Sequence, residues 1–293
     1  MVNQTKHVFY VGERAPDDSR KIKLDGFIID PKKAKGTVFF LQGFSGRYDD
    51  YLEHFLFPIG EEFRVVTYNH RGHPGSEGKF DAKRGAEDWK EITESMGREP
   101  AYLLGHSYGA NLATRLESDK IQSTYCLTPL FDLQMLPFLH RLGINILNTA
   151  GYIPGLLQTI DYGIESTGIA EKAGCPNNCP LQSFAQLATL KETKHDKPMA
   201  FALADGDEVL GVRENTARYL HLVDRIKARY PQAKNRSELV RGLNHCLNLT
   251  KNDFTPFLTP EKGKDSNRII EDIINFYSNG SSAQGLYSPN GGT

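Results

Sequence analysis

Three short apolar runs, each closed by turn residues, leave this chain few ways to fold. Gly36-Thr-Val-Phe-Phe-Leu-Gln-Gly43, Phe63-Arg-Val-Val-Thr-Tyr-Asn69 and Ala101-Tyr-Leu-Leu-Gly105 are apolar at consecutive positions rather than at every second one. A strand of that kind is buried on both faces, which is the habit of parallel sheets. Helical spacing lies between and after the runs, at Ala86, Trp89, Ile92 and Met96 and again at Ala110, Ala113 and Leu116. Ile121–Leu127 reads as the next strand. Residues 7–31 also read as strands, with Ile22, Leu24 and Ile28 alternating with Lys21, Lys23 and Asp25. Strands alternating with helices predict an α/β fold, a mostly parallel central sheet with helices on both faces.

The rhythm stops between about 129 and 195 and returns with Pro198–Leu203, a helix over about 213–229, a strand near Glu238–Val240 and a helix over about 266–277. The expected organisation is a first core part at 1–128, a helical cap inserted at 129–195, a second core part at 196–278 and a disordered tail at 279–293, rich in Gly, Ser, Asn and Pro.

Charge and composition narrow the function. The 293 residues hold 35 Lys plus Arg against 36 Asp plus Glu, a net charge of −1. That balance supplies no field for gathering phosphates, so no nucleic-acid partner is expected. No apolar run approaches the roughly 18 residues of a membrane span, and the first residues lack the pattern of a secretory signal. A cytoplasmic location is the expectation. Four Cys are too few for a disulfide scaffold. Four Asn-x-Ser/Thr sequons, at Asn3, Asn235, Asn248 and Asn279, are read as incidental without a secretory signal.

Gly105-His-Ser-Tyr-Gly109 carries the chemistry. It spells G-x-S-x-G, follows a buried strand and opens a helix. A sharp strand-to-helix turn forces the Ser into a strained backbone conformation, and Gly on both sides lets neighbouring backbones come close. The turn presents the Ser107 hydroxyl above the sheet. It also aims the Tyr108 N–H and the start of the helix at the same place, where developing negative charge would be stabilised.

These residues resemble the α/β-hydrolase superfamily. Two further segments look like its loops. His70-Arg-Gly-His-Pro-Gly-Ser-Glu-Gly78 is similar to the loop after the fourth strand, usually Asp-x-Arg-Gly-x-Gly-x-Ser, with His70 and Pro74 as variants. Leu41-Gln-Gly-Phe-Ser-Gly46 is similar to the oxyanion loop after the third strand, with Gln42 in place of the usual His. The resemblance implies a triad in the chain order Ser, acid, His. His245, in Gly242-Leu-Asn-His-Cys246 after the last strand, is the implied base. The segment after the penultimate strand offers Asp205, Asp207 and Glu208. The resemblance favours Asp207, leaves Asp205 as a turn former, and keeps Asp132 as a further candidate. It also implies backbone N–H groups of Phe44 and Tyr108 as the oxyanion hole, with their side chains available to wall the pocket. His70, His73 and His106 are read as structural.

The segment from Leu127 to Ile160 is dense in Leu, Ile, Phe and Met, with only Asp132 and Arg141 charged. An apolar acyl pocket under a lid is the expected use, and the same surface would suit a lipid surface or a homodimer. Cys175 and Cys179 lack the second pair that a metal site needs. Cys126 and Cys246 are read as packing residues. No cofactor and no metal are expected. The implied reaction is serine-dependent hydrolysis of a small-molecule carboxylic ester through an acyl-enzyme, most like monoacylglycerol lipase and lysophospholipase relatives. A thioesterase, an amidase or peptidase, a carbon–carbon bond hydrolase, an acyltransferase and a non-catalytic receptor on the same fold stay open. Ser107 itself excludes the dehalogenase and epoxide hydrolase branches, which carry Asp there.

Overall fold

The structure is a computed structural model. It describes residues 2–12, 21–43, 46–78, 80–81, 84–97, 100–129, 197–207, 210, 212, 216–229, 237–240 and 266–279. Phe44, His245, the expected cap beyond residue 129 and the expected tail beyond Asn279 lie outside these residues.

Eight strands form one sheet: β1 (Val2–Gly12), β2 (Lys21–Pro31), β3 (Thr37–Leu41), β4 (Arg64–Tyr68), β5 (Ala101–His106), β6 (Ile121–Leu127), β7 (Met199–Ala204) and β8 (Ser237–Val240). Their order is β1-β2-β4-β3-β5-β6-β7-β8. β2 runs antiparallel to both neighbours, and the pairs from β4 to β8 are parallel. The helices are α1 (Phe57–Ile59), α2 (Gly85–Ser95), α3 (Tyr108–Ala113), α4 (Thr216–Arg229) and α5 (Ser266–Asn279). A 3₁₀ turn and a π turn over Tyr48–Leu56 precede α1.

The period of two in β3 decides where the core goes. Val38 and Phe40 face one side of the sheet, where Ile269, Ile273 and Phe276 of α5 cover them. Phe39 and Leu41 face the other, under Trp89 and Ile92 of α2 and Leu112 of α3. All five residues of β3 are buried, as a strand apolar at consecutive positions requires. β7 repeats the device, with Met199, Phe201 and Leu203 packed on Leu222, Val223 and Ile226 of α4.

β2 changes character along its length. Over Lys21–Asp25 it pairs with β1 alone, and Ile22 and Leu24 are buried while Lys21 and Lys23 are exposed. From Gly26 it also pairs with β4, and apolar residues then occupy both faces. Gly26 marks the change because a Cβ there would lie 2.8 Å from the Thr67 carbonyl oxygen. The expected elements are present. Among the described residues α4 covers Thr216–Arg229, and α5 runs on to Asn279, two residues past the expected end.

Candidate active site

The loops that follow β3, β4, β5 and β7 all leave from the carboxyl end of the sheet, the end at which open α/β sheets bind ligands. Ser107 sits between β5 and α3 with φ 52° and ψ −112°. Among the described residues only Ser107 and Thr128 combine a side chain with positive φ. The two flank one hydrogen bond, in which the Ser107 N–H donates to the Leu127 carbonyl at 3.0 Å. Thr128 in turn donates its N–H to Ala202 O at 2.8 Å. Strain of this kind persists only where surrounding structure over-determines it.

The two flanking glycines show what holds the turn. A Cβ on Gly109 would stand 1.8 Å from the Leu41 carbonyl oxygen, and one on Gly105 would stand 2.5 Å from the Ala110 Cα. The start of α3 is thus pressed against the end of β3, and no side chain fits between them. Gly43 completes the approach, since a Cβ there would lie 3.3 Å from the Ser107 Cβ. The loop after β3 therefore runs directly beside the Ser107 side chain. That loop is closed by the Gly46 N–H donating to Gly43 O at 3.1 Å.

Ser107 is half-buried between two buried neighbours. The His106 Nδ1 and the Tyr51 hydroxyl are hydrogen-bonded at 2.9 Å beneath the loop. Tyr108 is turned inward. Its ring is 2% exposed and packs against Phe80 and His70. Its side chain is thus packed within the fold, while its backbone begins α3 directly after Ser107.

Asp207 is fully buried in the loop after β7, two strands away from β5 in the sheet. Its Oδ1 accepts from the Leu210 N–H at 2.8 Å, and its carbonyl accepts from the Val212 N–H at 2.9 Å. Asp205 is half-buried. A fully buried carboxylate held by its own loop suits an orienting acid better than a half-buried neighbour does.

His70 and His73 are buried and structural. The His70 Nε2 lies 3.2 Å from the Gln42 carbonyl, and because a carbonyl only accepts, Nε2 carries the proton. Burial, with the neighbouring His73 adding to it, holds His70 down at about 3, and burial holds His73 at about 4. Both rings are neutral at pH 7. Burial pushes the Cys126 thiol up, which keeps it an inert packing residue.

Asn69 is the residue that the sequence reading passed over. Counting from Arg71-Gly72, it is Asn69 and not His70 that stands at the first position of the Asp-x-Arg-Gly pattern. It is fully buried and hydrogen-bonded through its side chain to both Gln42 and Tyr48.

The profile of the α/β-hydrolase family matches residues 38–254. The chain belongs to the α/β-hydrolase family. Solved structures with the same fold include an α/β-hydrolase from a Penicillium species, 14% identical, which covers 94% of this chain and 97% of its own with a TM-score of 0.60. An epoxide hydrolase from Vigna radiata is 15% identical over 94% of this chain and 98% of its own, with a TM-score of 0.58. A protein provisionally assigned as an aryl esterase from Burkholderia cenocepacia is 17% identical over 94% and 100%, with a TM-score of 0.59. No curated protein sequence matches the chain. At these identities the neighbours speak for the fold alone. Among the described residues, no helix of this α/β-hydrolase is long and apolar enough to cross a membrane.

Proposed function

We propose that the protein is a serine hydrolase of small-molecule carboxylic esters with an apolar acyl part. The observation that carries this reading is Ser107. It is held at φ 52° on the turn from β5 to α3, with the Gly43 backbone alongside. Nothing in packing alone calls for a strained, half-buried serine at that place, whereas a nucleophile does.

In the proposed cycle, the Ser107 Oγ attacks the ester carbonyl while His245 takes its proton. Asp207 orients His245 and stabilises its protonated form. The oxyanion of the tetrahedral intermediate is held by the N–H groups of Tyr108 and Phe44. His245 then gives its proton to the leaving alcohol, and water releases the acid by the same route. The apolar acyl preference rests on the residue content of the segment from 127 to 160. A cytoplasmic location, and lipid-surface contact or a homodimer through the cap, are extensions of the same reading. Although the fold is shared with an epoxide hydrolase, Ser107 in place of Asp favours the esterase.

A p-nitrophenyl ester series from acetate to palmitate tests the reading, run on wild type and Ser107→Ala. Wild type is expected to turn over medium or long acyl chains, and Ser107→Ala to fall to background. Full activity in Ser107→Ala would remove the serine mechanism. Cleavage of thioesters or amides but of no ester would move the substrate class.

A further inference from the structure

Asn69 lies at the end of β4, and every polar group it has is engaged. Its N–H donates to Asp25 O at 2.8 Å, and its carbonyl accepts from the Ser76 hydroxyl at 2.7 Å. Its Nδ2 donates to Pro74 O at 2.8 Å. Its Oδ1 accepts twice, from the Tyr48 N–H at 2.9 Å and from the Gln42 Nε2 at 3.4 Å. The two donors bracket the loop after β3, Gln42 at its start and Tyr48 at its end. One oxygen atom therefore holds both ends of the loop whose Gly43 runs beside Ser107.

Gln42 adds a second, independent observation. It is fully buried, and its Oε1 finds no partner among the described residues. A buried amide oxygen without a partner is unfavourable, so packing stability is a poor reason for a carboxamide here. The other half of the amide, Nε2, is the half that reaches Asn69. The Gln42 carbonyl is held as well, by the His70 Nε2 at 3.2 Å. Consecutive residues of one loop thus grip the side chain and the backbone of a single residue of the other.

We propose that Asn69 and Gln42 are positioning residues: their carboxamide pair sets where Gly43 passes beside Ser107, and so serves the oxyanion donor assigned above to the next residue in the chain. This rests on the serine-hydrolase reading. An oxyanion donor acts only when it meets the position of the developing charge, and displacements of about 1 Å cost on the order of 10²-fold in rate. The pair touches no reacting atom. Neither carboxamide titrates, so the grip does not change with pH.

The test uses the full chain, p-nitrophenyl octanoate and a fluorophosphonate probe that counts competent Ser107. Gln42→Met keeps the length of the side chain, discards the unpartnered oxygen and cuts the tether. Its melting temperature is expected to stay within a few degrees of wild type. Its kcat per labelled site is expected to fall about tenfold or more, with KM within twofold and the pH profile unshifted. Asn69→Ala is expected to lower kcat per labelled site at least as far, with a loss of melting temperature in addition. If Asn69→Ala does not fold, Gln42→Met alone decides. An unchanged kcat per labelled site, with or without a fall in melting temperature, overturns the positioning role while leaving the labelled serine intact. Failure of wild type to label at Ser107 would instead bring down the hydrolase reading, and the positioning role with it.

Discussion

The strain at Ser107 is bought locally, by glycines. Gly109 meets the Leu41 carbonyl with no room for a methyl group. Gly109→Ala is therefore expected to cost about 3 kcal/mol or more of stability, because two backbones rather than two side chains must separate. A denaturant midpoint close to wild type would mean that α3 stands farther from β3. For the acid, Asp207→Asn should lose about 10³–10⁴-fold in kcat while Asp205→Asn stays within a few-fold, read on any ester that wild type cleaves. The reverse order would move the acid to Asp205. At this scale the sequence was legible where a motif is contiguous: five residues at 105–109 state the turn and its reason. Asn69 was missed because its role comes from Gln42 and Tyr48, 27 and 21 positions away. Only the spacing to Arg71-Gly72 pointed to it.

Among the elements, strands buried on both faces and helices with a regular apolar stripe were legible in advance. Trp89 and Ile92 are buried where the spacing put them, and Ala86 and Met96 pack beside them. The turns over Tyr48–Ile59 were not foreseen. Their hydrogen bonds shift from one residue span to another within a dozen residues, so no single period marks them. The tie of α5 to the sheet was equally invisible, since it joins distant segments. The Tyr125 hydroxyl donates to the Asp272 Oδ2 at 2.6 Å in the buried face between β6 and α5. Tyr125→Phe should destabilise the protein by about 1–3 kcal/mol, measured by thermal or denaturant melting, because it takes a donor from a buried carboxylate. Hydrogen exchange of the α5 amides should quicken in the same variant. An unaltered melt would show that the other contacts of Asp272 suffice.

Taken as a whole, the molecule carries an acid sensitivity in its buried imidazoles. His70 faces Tyr68, His73 and Tyr108, and His73 faces Phe80. Their folded values, about 3 and about 4, lie below the unfolded value of about 6.5. The unfolded chain therefore binds these protons first. Their contribution to stability is complete above about pH 6.5 and is lost as pH falls toward 4. Each should remove about 1 kcal/mol between pH 7.5 and 5.5. Melting temperature against pH should show that slope, and His73→Gln should flatten part of it. An identical slope in the variant would place the acid sensitivity elsewhere. The α5 packing has a further consequence, one of timing. The Tyr277 hydroxyl donates to the Leu103 carbonyl of β5, 174 positions earlier, and α5 covers Phe40, Leu104 and Tyr125 on that face. At ordinary rates of translation β5 waits roughly 10–30 s on the ribosome for the helix that covers it. Through that interval an apolar face meant for the interior lies open to any chaperone within reach.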